Sequence, residues 1–195
     1  MNKELREWIV SIAIAVALVL VVRSFFFVQY QVSGDSMVPT FENKDRLVIN
    51  KMATWSNGLN RGDVIVFHAN KDKDYIKRLV GLPGDKVEYK NDTLYINGTA
   101  VEENYLKSNK ALAPNGKLTE DFSVKTLSHS DGKDTIPKGK YLVLGDNRAI
   151  SLDSRRPELG LIESKNVVGK VALRFWPFSS FDTGFYEEDF DKVNK

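Results

Sequence analysis

Cysteine is absent from this 195-residue chain. It therefore has no disulfide, no thiol nucleophile and no cysteine-ligated zinc, although the absence does not assign a redox compartment. An excess of one charge is lacking too: 28 basic residues stand against 26 acidic ones, a net +2, spread along the whole length. With no basic stripe, nucleic acid is not an expected partner. Only two histidines occur, His68 and His129. His68 ends an apolar stretch, His129 sits in a polar one, and neither has neighbours that mark a Ser-His-Asp triad, so both read as structural or solvent-exposed. Helical periodicity is missing beyond residue 28, and there is no internal repeat.

One long apolar run is present. From Trp8 to Val22 no residue is charged and only Ser11 is polar, and the run resumes after Arg23 and Ser24 as Phe25-Phe26-Phe27-Val28. A helix over residues 8–28 would be about 31 Å long, close to the hydrocarbon thickness of a bilayer. Arg23 could snorkel to the headgroups, and Trp8 and the phenylalanines suit the interfaces. A cleaved signal peptide is the competing reading, with Lys3 and Arg6 as its basic region. Against it, Ala13, Ala15 and Ala17 lie inside the apolar core, and Val22-Arg23-Ser24 is a poor cleavage site. The expectation is a stub over residues 1–7, one transmembrane helix over 8–28 and one domain over 29–195. Lys3 and Arg6 on one side face Arg23, Lys44 and Arg46 on the other, so charge does not decide the orientation.

Beyond the run, β-branched and aromatic stretches bounded by turn residues recur at short intervals, which predicts a mostly β domain, an antiparallel barrel or sandwich. Strands are expected over residues 27–33, 46–50, 63–68, 75–80, 86–90, 93–96, 141–144 and 167–176. Asn91-Asp92 reads as a tight hairpin turn and Asn97-Gly98 as a second turn. Between residues 102 and 135 the apolar alternation fades into Asn, Lys, Ser, Thr and Gly, and an excursion from the barrel is expected, a surface loop or small subdomain. Glu187-Glu188-Asp189 reads as a solvated acidic tail.

The chemistry centres on Ser36 and Lys77. A serine hydroxyl needs a base, and with no suitable histidine a lysine can serve only if it is held neutral. Bringing its pKa from about 10.4 to between 7 and 8 costs about 3 to 5 kcal/mol, which burial can supply. In Tyr75-Ile76-Lys77-Arg78-Leu79-Val80 the strand period puts Lys77 on the face of Tyr75 and Leu79, and Arg78 on that of Ile76 and Val80. Two adjacent cations in an apolar strand suggest one ion pair and one base. A snorkelling edge strand, with Ser36 a mere turn residue between Gly34 and Pro39, is the plainer reading.

Three segments in order, Gly34-Asp35-Ser36-Met37-Val38-Pro39-Thr40, then Tyr75 to Asp85, then Gly145-Asp146-Asn147-Arg148 followed by Ser151, Asp153, Ser154 and Arg155, resemble the sequence boxes of bacterial type I signal peptidases. The anchor, Gly62 to Phe67, and Arg174-Phe175-Trp176-Pro177 also match, and the short form looks like that of Gram-positive bacteria. The resemblance implies a barrel-like catalytic domain related to that of self-cleaving LexA-like repressors. It also implies a membrane-bound endopeptidase that removes signal peptides from exported preproteins after small residues, with its N-terminus cytoplasmic, its catalytic domain extracytoplasmic, and no cofactor or metal. On the matched positions, Ser36 would be the nucleophile and Lys77 the general base. Ser151 would hydrogen-bond and orient the lysine amine, while Asp153 and Arg155 would form a supporting ion pair, with Arg78 a further candidate for it. Val32 and Ile76 would line the pockets for the two small substrate residues. The Ser36 N–H would serve an oxyanion hole. Gly34 departs from members that carry a serine donor there, so a water, a backbone N–H or another side chain must substitute.

The repressors carry an N-terminal DNA-binding domain, which residues 1–28 cannot form. A membrane-tethered barrel that only binds a partner, such as a pilus-assembly helper, would lack the nucleophile or base, and Ser36, Lys77 and Ser151 are all present.

Overall fold

The computed structural model describes residues 3–55 and 58–194, with the backbone alone for residues 21–24. The snorkelling expected of Arg23 therefore lies outside the described residues. Helix α1 spans Lys3–Phe26. It ends two residues before the expected boundary because Phe27 and Val28 pair with the next strand. Several of its apolar side chains, among them Ile12, Ile14 and Leu18, are more than half exposed. Among the described residues no helix is long and apolar enough to cross a membrane, and residues 3–20 carry four charges, Lys3, Glu4, Arg6 and Glu7.

Strand β1 (Phe27–Gln31) follows α1 without a linker, then β2 (Arg46–Asn50), the short helix α2 (Met52–Trp55), β3 (Val64–His68) and β4 (Asp74–Gly81). After these come β5 (Val87–Lys90), β6 (Thr93–Ile96), β7 (Thr99–Val101), helix α3 (Lys107–Leu112), β8 (Phe122–Ser123), β9 (Lys140–Leu144), β10 (Ile162–Glu163) and β11 (Val167–Trp176). The main sheet has the order β1-β2-β11-β3-β4-β9-β10, and a second sheet the order β7-β6-β5-β8. Every pairing is antiparallel. β11 is long enough to pair with both β2 and β3, and irregularities in its register bend it. The main sheet curls so far that Tyr30 of β1 donates its hydroxyl to Asp74 of β4 at 2.5 Å, across three intervening strands. The expected barrel is thus a curled, half-closed sheet backed by a smaller one.

Alternation on β3 feeds two cores. Val64 and Val66 pack inside the curl with Met37, Phe41, Leu47 and Ile49, while Ile65 and Phe67 pack on the opposite face with Leu79 and Val143. A third cluster, built on Val80, Tyr89, Leu94, Leu142 and Phe190, joins the two sheets. In the Asn91-Asp92 turn both residues have positive φ, 50° and 60°, as do Asn97 and Gly98 at 52° and 83°. These are the left-handed conformations that a two-residue hairpin turn demands.

The 102–135 excursion leaves the main sheet and adds β8 to the second one, and its Glu103, Leu106, Thr119, Val124 and Ser130 are all buried. One expectation is corrected. The acidic cluster is no solvated tail: Phe190 beside it is fully buried, Glu187 lies 3.5 Å from Arg78, and Asp189 accepts two 2.6 Å hydrogen bonds from Asn104.

Candidate active site

The loop from Ser33 to Thr40 crosses the open mouth of the curl, anchored by Met37 and Phe41, which are 1% and 0% exposed. At Gly34 φ is +90°. That backbone accounts for the glycine and for the missing serine, since an L side chain would be strained there even with open space around it. The loop is pinned to residues 145–147. The Asn147 backbone N–H donates to Ser36 O at 3.0 Å and its side-chain amide to Asp35 O at 3.1 Å, while Thr40 Oγ1 donates to Asp146 Oδ2 at 2.6 Å.

Lys77 reaches this loop from β4. Its Nζ lies 2.8 Å from Ser36 Oγ and 2.9 Å from Ile76 O, and its side chain passes the Tyr75 ring at 5.3 Å. Burial lowers its pKa to about 8, against the Asp153 and Asp146 carboxylates, which pull it upward. A neutral amine at hydrogen-bond distance can accept the serine proton, and near neutral pH an appreciable fraction of such a lysine is neutral.

Ser151, Asp153 and Arg155 lie on the long connection after β9. Ser151, 1% exposed, lies close enough to Asp153 to help keep its carboxylate ionised, yet its Oγ makes no well-formed hydrogen bond to Lys77 or to any other described residue. The expected Ser151–Lys77 bond is therefore not made in this structure. Asp153 and Arg155 do pair, at 2.9 and 2.8 Å, and Asp153 also accepts the Gly145 N–H at 3.0 Å. Burial pushes the Asp153 carboxyl up, and Arg155 with these donors brings it net below the usual carboxylate range.

Arg78 does not join that pair. It forms a bidentate pair with Asp146, at 3.0 and 2.7 Å, donates to Gly62 O and Phe185 O, and stacks on Tyr105 at 4.5 Å. The loop after β9 is thus gripped by two buried arginine–carboxylate forks, Arg78–Asp146 and Arg155–Asp153. Gly145, Asp146 and Asn147 lie in a matched box, and the resemblance implies no role for them. Gly145 matters sterically: a Cβ there would sit 2.1 Å from Ser151 Oγ and 2.5 Å from Ser36 O.

A cleft of about 290 Å³ opens beside Ser36, with Tyr30 and Val32 on one wall, Tyr75, Ile76 and Lys77 on the other, and Ile150 and Leu152 at its rim. Val32 is 5% exposed and Ile76 half-buried, so the cleft is shallow and apolar where they meet. His68 and His129 lie outside it. His68 contacts Asp74 at 2.6 Å and His129 contacts Leu161 O at 3.3 Å. Among the described residues no cluster of three His, Asp or Glu is arranged to hold a metal ion.

Comparison with known proteins shows which family the chain is similar to. The family described as signal peptidase, peptidase S26, matches residues 5–176. Signal peptidase IB of Staphylococcus aureus is 50% identical over 190 residues, covering 97% of this chain and 98% of that one. Signal peptidase I of Bacillus caldolyticus is 47% identical over 168 residues, 86% of this chain and 90% of its own. Among solved structures, a signal peptidase I from Enterococcus faecalis V583 is 43% identical and superposes with a TM-score of 0.53, covering 57% of this chain and 95% of that one.

Proposed function

The chain belongs to the signal peptidase family, peptidase S26, in its Gram-positive type I form, and on that premise we propose that Ser36 and Lys77 form its catalytic dyad at a membrane surface. The observation that carries the proposal is the 2.8 Å contact between Lys77 Nζ and Ser36 Oγ, with the lysine pKa lowered to about 8 by burial.

Neutral Lys77 takes the Ser36 proton as Oγ attacks the carbonyl carbon of the residue before the cut. The resulting oxyanion needs donors. Among the described residues the Ser36 N–H makes no hydrogen bond within the protein, which leaves it free for that task. The Lys77 ammonium then protonates the departing amine, leaving an acyl group on Ser36. Lys77, neutral again, deprotonates the water that hydrolyses the ester. Asp153–Arg155 and Arg78–Asp146 hold the loop on which the Ser36 carbonyl rests, and Ser151 packs against Gly145 of that loop.

The preprotein would lie extended in the cleft. β1 is the edge of its sheet, and β9 pairs with β4 only from Arg78 onward, so residues 74–77 also offer an unpaired edge. Two open edges facing one cleft suit β-strand addition by a peptide. Val32 and Ile76 then leave room for small side chains only.

We further propose that α1 is a single-pass anchor, with residues 1–7 cytoplasmic and 29–195 extracytoplasmic. Its support is the uncharged run from Trp8 and the exposure of apolar side chains that nothing in the described chain covers. Anchoring holds the enzyme in the plane where a preprotein is held by its own apolar segment, which raises the effective concentration. The test is digestion of a signal-peptide-bearing preprotein by the purified full chain in detergent, with the product N-terminus sequenced. A single cut after a small residue supports the reading, and no cut, or cuts after large residues, defeats it.

A further inference from the structure

We propose that Asn109, on α3 of the second sheet's long connection, is a positioning residue that locks the nucleophile loop onto the loop after β9; the proposal rests on the Ser36–Lys77 reading above. The Asn109 side-chain amide nitrogen donates to two carbonyl oxygens, Val38 O and Asp146 O, each at 2.9 Å. Val38 lies two residues beyond Ser36. Asp146 immediately precedes Asn147, whose N–H holds Ser36 O. One primary amide thus spends both its N–H groups on the two segments whose separation sets where Ser36 sits, and both acceptors are carbonyls that only a donor can join.

The rest of α3 has little other reason to lie there. It is six residues long and none of them is buried, with Leu112 85% exposed. It is moored from behind by the buried Leu106 and by Lys110, whose Nζ lies 3.3 Å from Asp92 O in the β5–β6 turn. The same lobe grips the second loop through Arg148. That side chain, fully buried, donates to Gly145 O at 2.9 Å and pairs with Glu103 at 2.6 Å, with Tyr89 as a further partner. The stretch from Glu103 to Asn109 therefore braces the site from the side opposite the cleft.

A residue that merely held α3 together would behave differently on substitution, because alanine is the better helix former. Cleavage of a preprotein by the full chain in detergent is the assay, with kcat and KM separated. Asn109→Ala is expected to lower kcat about tenfold or more, since small misplacements of a reacting group are costly, and to leave KM within about twofold. Asn109→Ser, with one donor, should fall between, and Asn109→Asp, which sets a carboxylate against two carbonyls, should be worst. The acid limb of the pH profile should not move, and Ser108→Ala on the same helix should match the parent. Equal kcat for Asn, Ser and Ala at position 109, or a loss confined to KM, overturns the proposal. Ser36→Ala, run in parallel, keeps the two readings apart: cleavage persisting in that variant would defeat the dyad, whatever Asn109 does.

Discussion

Lys77 and Arg78 are buried neighbours on β4, and a carboxylate partner for only one of them drives their fates apart. Burial acts against the charge of both. Arg78 holds Asp146 in a bidentate pair and stays firmly protonated, its pKa net raised, whereas Lys77 touches no carboxylate and falls to about 8. One strand thus carries a structural cation and the proposed base side by side.

Ser36→Ala and Lys77→Met should each reduce preprotein cleavage by about three orders of magnitude or more, because nucleophile and base act as a unit. Lys77→Met should also be the more stable protein at pH 7. The folded pKa near 8 lies below the unfolded 10.5, so the unfolded chain binds the extra proton and stability rises with pH across that window. Below it the buried ammonium costs up to about 3 kcal/mol at 1.36 kcal/mol per unit. Thermal denaturation of both proteins at pH 7 and pH 10 measures this, and a gap that does not narrow at the higher pH counts against a buried ammonium.

Activity should climb as pH rises through about 8, the point at which half of Lys77 is neutral. Asp153 is the leading charge that holds this pKa up. Asp153→Asn should therefore move the acid limb of the kcat/KM profile to lower pH while reducing its height. A profile flat from pH 5 to 9 would exclude the lysine base, and an unmoved limb in the variant would uncouple Asp153 from it.

Gly145→Ala places a methyl 2.1 Å from the buried Ser151 Oγ and 2.5 Å from Ser36 O, which the Asn147 N–H already holds. Overpacking of this kind costs about 1–3 kcal/mol, and here the displaced group carries the proposed nucleophile. The variant should melt lower and cleave at least about a hundredfold more slowly. Gly84→Ala, where nothing lies within 4 Å but φ is +93°, should lose stability without that loss of rate.

Ile76→Ala should enlarge the cleft on the β4 wall. The ratio of kcat/KM for a substrate with leucine before the cut to one with alanine should rise about tenfold, the scale on which apolar pockets discriminate. Paired peptides differing at that residue measure it. A ratio unchanged in both Ile76→Ala and Val32→Ala would mean that these walls do not select.

The strands were largely legible because β-branched runs between turn residues announce them: 46–50, 93–96 and 167–176 match to the residue. β7, β8 and β10 span three, two and two residues, too short for alternation to register. The 102–135 segment shows no apolar alternation for a different reason. Several of its buried members are polar, Glu103, Thr119 and Ser130, so a hydrophobic pattern is blind to them. Ser36 and Lys77 could be paired as candidates from the sequence because their boxes surround them, and the fold brings them to 2.8 Å. The partner of Arg78 could not, since Asp146 is 68 residues away and only folding brings it near. Asn109 had no local signal at all, as its two acceptors are backbone carbonyls on distant loops.

The passage from α1 into β1 contains no linker, and it is fastened: Lys51 N–H donates to Phe26 O at 2.9 Å, and the Phe26 ring meets Trp55 edge-on at 5.8 Å. With α1 embedded as proposed, the cleft cannot swing or rise relative to the bilayer. Val32 lies five residues past Phe27, about 17 Å of extended chain. The enzyme is then a ruler as well as a blade, and the height at which a preprotein is cut is set by the length of this junction. Two residues inserted between Phe26 and Phe27 should displace the preferred cut site along a given preprotein, even where the small-residue motif is unchanged.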